Sequence, residues 1–506
     1  MKNYLMSCLT VIFISLLLLS CSDNPEVPNI IFVITDDQGY ADISAHGSPD
    51  VVTPAMDKLR SQAVSLTDFH VSPTCAPTRS AIMTGRHPFK NGITHTLFER
   101  DRMAPGLTTL PEVLKRSGYS CGAFGKWHLG DEDEYQPGSR GFDEVFVHGA
   151  GGIGQAYPGS LADAPGNKYF DPVINHNGTF VKTKGFCTDV FFAQAQSWIK
   201  NMLEEKKPFF AYIATNAPHG PFIAPDKYRK KFIDNGYPEH CQGFYGMIEN
   251  IDDNLGQLME RIDRWGIADN TVLIFMSDNG KTYNGGNNTV HGETYNAGMR
   301  GFKGSPYQGG TRAPFFIRWP GKFDAGREVD VLHNHYDILP TIADIVNIDI
   351  SDITGMDGQS FLPYLKDESY ESPDRYRFVH VGRWPLNPAN AEGLEIDPKW
   401  LGTKESSDPD NHKFHGCAVR NEQYRFVNNS ELYDLYSDPG ETTNVAEEHP
   451  DFVSEMRIAY EEWWNEVRPL MVNENVPLSR ERPYWVHYYN QKESQGIKNW
   501  EIPEID

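Results

Sequence analysis

Asn29-Ile30-Ile31-Phe32-Val33-Ile34-Thr35-Asp36-Asp37 is the stretch on which the fold turns. Its apolar core, mostly β-branched, is too short for a helix and reads as a strand buried on both faces, and two carboxylates end it at once. Three later runs repeat the pattern. Residues 119–124, weakened by Gly122, lead to Lys126 and His128; residues 209–214 lead to Asn216 and His219; residues 272–276 lead to Asp278 and Asn279. Residues 54–65, 109–117 and 189–205 carry apolar side chains at helical spacing, so the alternation predicts an α/β domain around a buried, largely parallel sheet. Ligands of such sheets bind beyond the carboxyl ends of the strands, which predicts that the four polar clusters meet on one rim. Asp, Asn and Gly favour turns on their own account. Recurrence at four strand ends is what makes a site of them.

The chain has 506 residues, 39% of them hydrophobic, and a formal net charge of -23. That is the composition of a globular protein large enough for one large domain and a smaller one. The acidic balance excludes nucleic acid as a partner, since no basic stretch matches a phosphate backbone. An anionic substrate then requires a local positive pocket.

Lys2 and the apolar run 9–19 read as a signal peptide over residues 1–20, too short to span a bilayer. Leu18-Leu19-Ser20-Cys21 resembles the bacterial lipobox, which implies acylation of Cys21, a tether over residues 21–28, and an exported lipoprotein of the outer membrane. Export permits disulfides. Cys8 falls in the signal; Cys121, Cys187, Cys241 and Cys417 show no metal-binding spacing, and buried thiols or disulfides are both open for them.

The Gly-rich segment 138–177 reads as a surface excursion. After residue 366 the character changes to short strands at 378–381, 417–420, 424–427 and 432–435, with Asn421-Glu422-Gln423 as a tight connection and an amphipathic helix at 450–467. The domains expected are residues 29–366 and a C-terminal α+β subdomain over 367–506. Trp463 and Trp464 on that helix are expected to pack in a core.

Cys75-Ala76-Pro77-Thr78-Arg79-Ser80, trailed by Thr84-Gly85-Arg86, places a Cys at a helix start, where free amides and the helix dipole favour an anion. This Cys-x-Pro-x-Arg segment resembles the modification motif of the type I, formylglycine-dependent sulfatases. Further segments are similar to that family in the same order: 29–39, Gly125-Lys126-Trp127-His128-Leu129-Gly130, Ala217-Pro218-His219-Gly220-Pro221, Ser277-Asp278-Asn279-Gly280, 300–304, 309–314 and 355–363. The chain departs from the family at Ala41, where Gly is common, and at Gln308, where Glu is common, which puts support of the 300–314 loop in question.

The resemblance implies an alkaline-phosphatase-like sandwich around a large mixed, mainly parallel sheet. It implies a calcium ion held by Asp36, Asp37, Cys75, Asp278 and Asn279. The acidic and amide members are hard oxygen donors suited to calcium, and adjacent carboxylates need something positive between them. It further implies that Cys75 is oxidised to formylglycine by a formylglycine-generating or anaerobic maturation enzyme. The hydrated aldehyde then attacks sulfur through one hydroxyl and expels sulfate through the other, a route closed to an ordinary Ser. Arg79, Lys126 and His128 would serve the hydrated aldehyde and sulfate, and His219 and Lys303 the sulfate and leaving oxygen, one of them as general acid. The substrate implied is a sulfated carbohydrate. His380, Arg383 and Trp384 are candidate substrate-binding residues, together with Trp400, against the alternative of simple packing. Rival functions are a phosphate or phosphonate monoester hydrolase and an inactive glycan-binding protein.

Overall fold

The computed structural model describes residues 27–366, 370 and 375–505; residues 1–20, read above as a signal peptide, with Cys8, and Cys21, read as a lipidation site, lie outside the described residues. The quoted stretch forms β1 (Asn29–Thr35), every residue of it buried. Its side chains alternate between two cores. Ile30, Phe32 and Ile34 face the core that α2 (Cys75–Thr84), α3 (Leu110–Lys115) and α6 (Ile338–Ile345) complete, while Ile31 and Val33 face the one under α1 (Pro54–Gln62), α4 (Cys187–Glu204) and α5 (Glu239–Arg264). A strand sandwiched between helical layers has no polar face to offer, which is why its sequence reads as a continuous apolar run.

The remaining strands of this sheet, in chain order, are β2 (Val64–Leu66), β3 (Ser120–Lys126), β4 (Glu144–His148), β5 (Val173–His176), β6 (Thr179–Lys182), β7 (Phe209–Ala214), β8 (Thr271–Ser277), β9 (Phe315–Arg318) and β10 (Glu328–Val329), with β15 (Lys498–Asn499) added from the far end of the chain. They lie in the order β10-β2-β9-β8-β1-β7-β3-β4-β5-β6-β15. The four central strands β8, β1, β7 and β3 are mutually parallel, and Thr35 pairs with Ser277, Ile34 with Ala214 and Gly125 with Ala214. Their carboxyl ends are therefore level. Asp36, Asp278, Thr215 and Lys126 leave the sheet side by side.

Four β-strands make the second sheet, antiparallel in the order β11 (Arg377–His380), β12 (Cys417–Arg420), β13 (Tyr424–Val427) and β14 (Glu431–Asp434), and α7 (Pro450–Val467) covers it. Trp463 and Trp464 are in that core. The Asn421 side chain accepts the backbone N–H groups of Gln423 and Tyr424, which makes the tight connection before β13.

Three segments differ from the sequence reading. The first helix stops at Gln62, because Val64 and Leu66 are drawn into the sheet beside β9. Segment 138–177 is not wholly irregular: it supplies β4, parallel to β3 and buried from Val145 to His148, and β5. Residues after 482 do not stay with the small sheet; α8 (Pro483–Ser494) packs Tyr484 and Tyr488 on Phe180, and β15 pairs with β6. Strands of two to five residues are too short to give a periodic signal. Cys121, Cys187, Cys241 and Cys417 are buried free thiols; there is no disulfide among the described residues.

Candidate active site

Cys75 is the first residue of α2 and is only 3% exposed. One turn on, Arg79 shares its helix face. The Arg79 Nε and Nη2 groups donate to Asp278 Oδ2 at 3.0 and 2.6 Å, and Nη1 donates to the Lys126 carbonyl at 3.1 Å. Thus one guanidinium ties the helix bearing Cys75 to the ends of β8 and β3. Lys126 Nζ donates to Asp36 Oδ2 at 2.7 Å, and Lys303 Nζ to Asp37 Oδ1. Asn279 Nδ2 donates to the same Asp37 oxygen at 2.9 Å.

His128 completes the floor. Its ring lies 3.3 Å from Cys75 Sγ through Nδ1 and 3.0 Å from the Thr96 carbonyl through Nε2. A carbonyl only accepts, so the ring proton sits on Nε2 and Nδ1 faces Cys75 as a bare acceptor. Burial holds this imidazole below the ordinary histidine range. His219 stands at the mouth, its Nδ1–H on the Gly220 carbonyl at 2.7 Å and its Nε2 3.9 Å from Asp37 Oδ2; burial pushes it down to about 3. Burial also works against charge on Lys303, but Asp37 and its neighbours win and hold the ammonium above the ordinary lysine range. At neutral pH the free site therefore carries fixed positive charge on Arg79 and Lys303 and two neutral imidazoles.

Backbone strain is concentrated here. Asp37 and His128 have φ of 72° and 60°, conformations that cost a non-glycine residue about 1–3 kcal/mol each and that recur at functional sites. Gly280 lets the second strand end meet the 300–314 loop: a Cβ there would fall 2.0 Å from the Gly309 carbonyl oxygen.

Asp36, Cys75 and Asp278 bring ligand atoms within 4.8 Å of one another. Asp36 Oδ1 and Asn279 Oδ1 are buried and without a hydrogen-bond partner, each an acceptor whose isolation costs about 1–3 kcal/mol. Burial, with Asp278, Asp37 and Cys75 nearby, raises the Asp36 carboxyl well above the carboxylate range in spite of Lys126. A hard cation among these oxygens would satisfy both orphaned atoms and reverse that shift, so the donor set fits one.

The sulfatase family matches residues 28–348, well over half of the chain. The chain belongs to the sulfatase family. Its enzymes are sulfate ester hydrolases. This sulfatase is 28% identical over 501 residues to N-acetylgalactosamine-6-O-sulfatase of Bacteroides thetaiotaomicron, covering 86% of this chain and 92% of that one. It is 32% identical over 259 residues to mouse arylsulfatase J, a match spanning 50% of this chain and 42% of that protein. Among solved structures, Ps i-CgsB in complex with k-i-k-neocarrahexaose superposes with a TM-score of 0.70 at 25% identity, over 93% of this chain and 98% of that one.

Not every candidate side chain of the sulfatase joins the cluster. Trp384 is buried: its Nε1–H donates to Glu474 at 2.8 Å, and the Arg100 guanidinium lies 5.5 Å above its ring. His380 is buried too, accepting the Gly382 N–H on Nδ1 and donating from Nε2 to the His412 carbonyl. Both are packing residues between the two sheets' domains, with no face left for a sugar. Arg383 is exposed, and Trp400 is half-buried with its ring edge-on to His95.

Two supporting residues escape sequence reasoning. Buried Asp101 lies 3.6 Å from His128 Nε2, and burial pushes its carboxyl up to about 6. The Glu441 carboxylate accepts the Gln308 N–H at 2.8 Å and pairs with Arg425 at 3.2 Å, so an acid from the small subdomain steadies the loop at the position where Gln308 departs from the family. Asp101 lies between two arginines and reads as a solvated charge run; only its burial distinguishes it.

Proposed function

We propose that this sulfatase hydrolyses sulfate esters of a carbohydrate at Cys75 after its oxidation to formylglycine, with calcium as the bound cation. The observation that carries the reading is the convergence of Cys75, Arg79, Lys126, His128, His219 and Lys303 around the three acids Asp36, Asp37 and Asp278 at the level ends of four parallel strands. Cys75 Sγ stands where the oxygens of the hydrated aldehyde would be. That group supplies a hydroxyl nucleophile and a second hydroxyl through which sulfate can be expelled. The cation, held by Asp36, Asp37, Asp278, Asn279 and the oxidised residue 75, supplies positive charge beside the nucleophile.

The protein's own groups do the rest. His128 Nδ1 accepts a proton from the group at residue 75. The amino end of α2, with Lys126 and Lys303, offsets the negative charge of the sulfuryl oxygens on a floor whose Cys75, Arg79, Lys126 and His128 are buried, where such contacts are stronger than in solvent. His219 is neutral in the free site. The arriving sulfate favours its protonated form, and its Nε2 then holds a proton for the leaving oxygen. Because Cys75 is buried, the maturation enzyme would have to act before the chain folds.

Protein produced in a host able to oxidise Cys75 is expected to turn over nitrophenyl sulfate faster than nitrophenyl phosphate; the reverse order would assign the site to phosphate esters. Calcium is checked by thermal unfolding. Chelator-treated protein should regain about 2.7 kcal/mol of stability at a hundredfold excess of calcium over its Kd, and Asp36→Asn should respond far less. An unfolding temperature indifferent to calcium in the wild type would remove the ion from the site.

A further inference from the structure

Gly382, with φ of 70°, is pressed onto the loop that carries Thr94 and His95: a Cβ there would fall 1.7 Å from the Thr94 carbonyl oxygen. That contact sets Arg383 on the rim of the active site. Its Nη1 would stand 3.3 Å from a Cβ on Gly304, the neighbour of Lys303, and the Gly304 N–H is bonded to the Pro73 carbonyl, two residues from Cys75. On the other side His95 precedes Thr96, the residue whose carbonyl holds His128. Arg383 and His95 thus flank the cluster from the Lys303 side and the His128 side.

Neither is spoken for. Arg383 is exposed and makes no ion pair or hydrogen bond among the described residues, although the chain carries a net charge of -23 and the nearby Arg100 and Arg102 are paired with Glu474, Glu99 and Glu132. His95 is 5% exposed. Its Nδ1 accepts the Leu97 N–H at 3.1 Å, which leaves the single ring proton on Nε2, and Nε2 has no partner among the described residues. Burial, with Arg100, Arg383 and His128 close by, keeps this ring neutral, so the pair offers one fixed cation and one N–H donor without an acceptor. The half-buried Trp400 ring, 6.3 Å from His95, gives the same rim an apolar wall.

We propose that Arg383 and His95 form a second anion subsite, so that the preferred substrate carries a sulfate or carboxylate beside the sulfate that is cleaved. A guanidinium fork matches the paired oxygens of either group. The proposal rests on the sulfate-ester reading of the Cys75 site and specifies the substrate class of that same site.

Binding is the direct test, measured by calorimetry on calcium-loaded Cys75→Ala protein, which cannot turn substrate over. Three probes are compared: N-acetylgalactosamine 6-sulfate, its 4,6-disulfate, and a glucuronate-containing disaccharide of the 6-sulfate. At least one of the doubly anionic probes should bind about 10- to 100-fold tighter than the first. Arg383→Ala should remove that difference while leaving the first probe within about threefold, and Arg383→Lys should keep part of it. Whichever probe gains identifies the second group as sulfate or carboxylate. Equal binding of all three, binding of none, or an equal loss for every probe in Arg383→Ala overturns the proposal. Failure of the Cys75-bearing enzyme to hydrolyse any sulfate ester would instead strike the sulfate-ester reading, and leaves the binding comparison as a separate result.

Discussion

Cys75→Ala is expected to lower kcat/KM on any sulfate ester by at least ~10⁴-fold, the scale on which enzymes lose activity when their nucleophile is removed. The fold should survive. Ala keeps the helical start of α2, removes one sulfur from a 3% exposed position and leaves the Arg79, Asp278 and Lys126 ties intact. Circular dichroism and unfolding temperature close to wild type would therefore accompany the loss. Cys75→Ser separates nucleophilicity from release. A serine oxygen can take the sulfuryl group while the alcohol leaves, but it has no second hydroxyl on the same carbon to expel sulfate. This variant should stop after one turnover as a sulfated protein heavier by one SO₃, visible in the peptide that contains residue 75. Multiple turnovers by either variant would show that residue 75 does not carry the reaction.

The strand ends were legible because buried parallel strands have a distinctive sequence: a short, continuous apolar run and an abrupt polar stop. Residues 209–214 coincide with β7, and the core of β1 and β8 was visible to within a residue at each end. Convergence also followed, since level carboxyl ends are a property of parallel pairing and not of any one motif. Roles off the strand ends were less legible. His380 and Trp384 sit in a loop of polar composition, yet the loop is folded between two packed layers and their polar atoms are used up by Glu474, Gly382 and His412. Composition cannot tell a buried loop from an exposed one when both carry aromatic and charged residues. His95 is the converse, an isolated histidine with no motif whose function follows from the tautomer that the Leu97 N–H imposes. Glu441 is legible only in three dimensions, because it lies 133 residues from the backbone amide it holds.

His219→Ala should distinguish proton donation from simple charge. In the free site the imidazole is neutral and its Nδ1–H is committed to the Gly220 carbonyl, whereas Lys303 is a firmly held cation on Asp37. A fixed ammonium above the lysine range parts with its proton reluctantly; an imidazole that gains a proton only beside the sulfate can return it within the same turnover. Loss of His219 is expected to cost about 10²- to 10⁴-fold in kcat on a sugar sulfate, whose alkoxide cannot leave without a proton. On nitrophenyl sulfate, whose leaving oxygen is stable as an anion, the cost should stay within about tenfold. Lys303→Ala, by contrast, removes charge that meets the sulfate itself, and should depress both substrates alike. The pH profile gives a second reading. Protonation of His219 is favoured by bound substrate, so the alkaline limb of kcat on the sugar sulfate should disappear in His219→Ala and persist in Lys303→Ala. Equal losses on the two leaving groups in His219→Ala, with the larger discrimination found in Lys303→Ala, would exchange the two roles: the lysine would then be the acid, and the histidine a neutral donor or acceptor at the mouth.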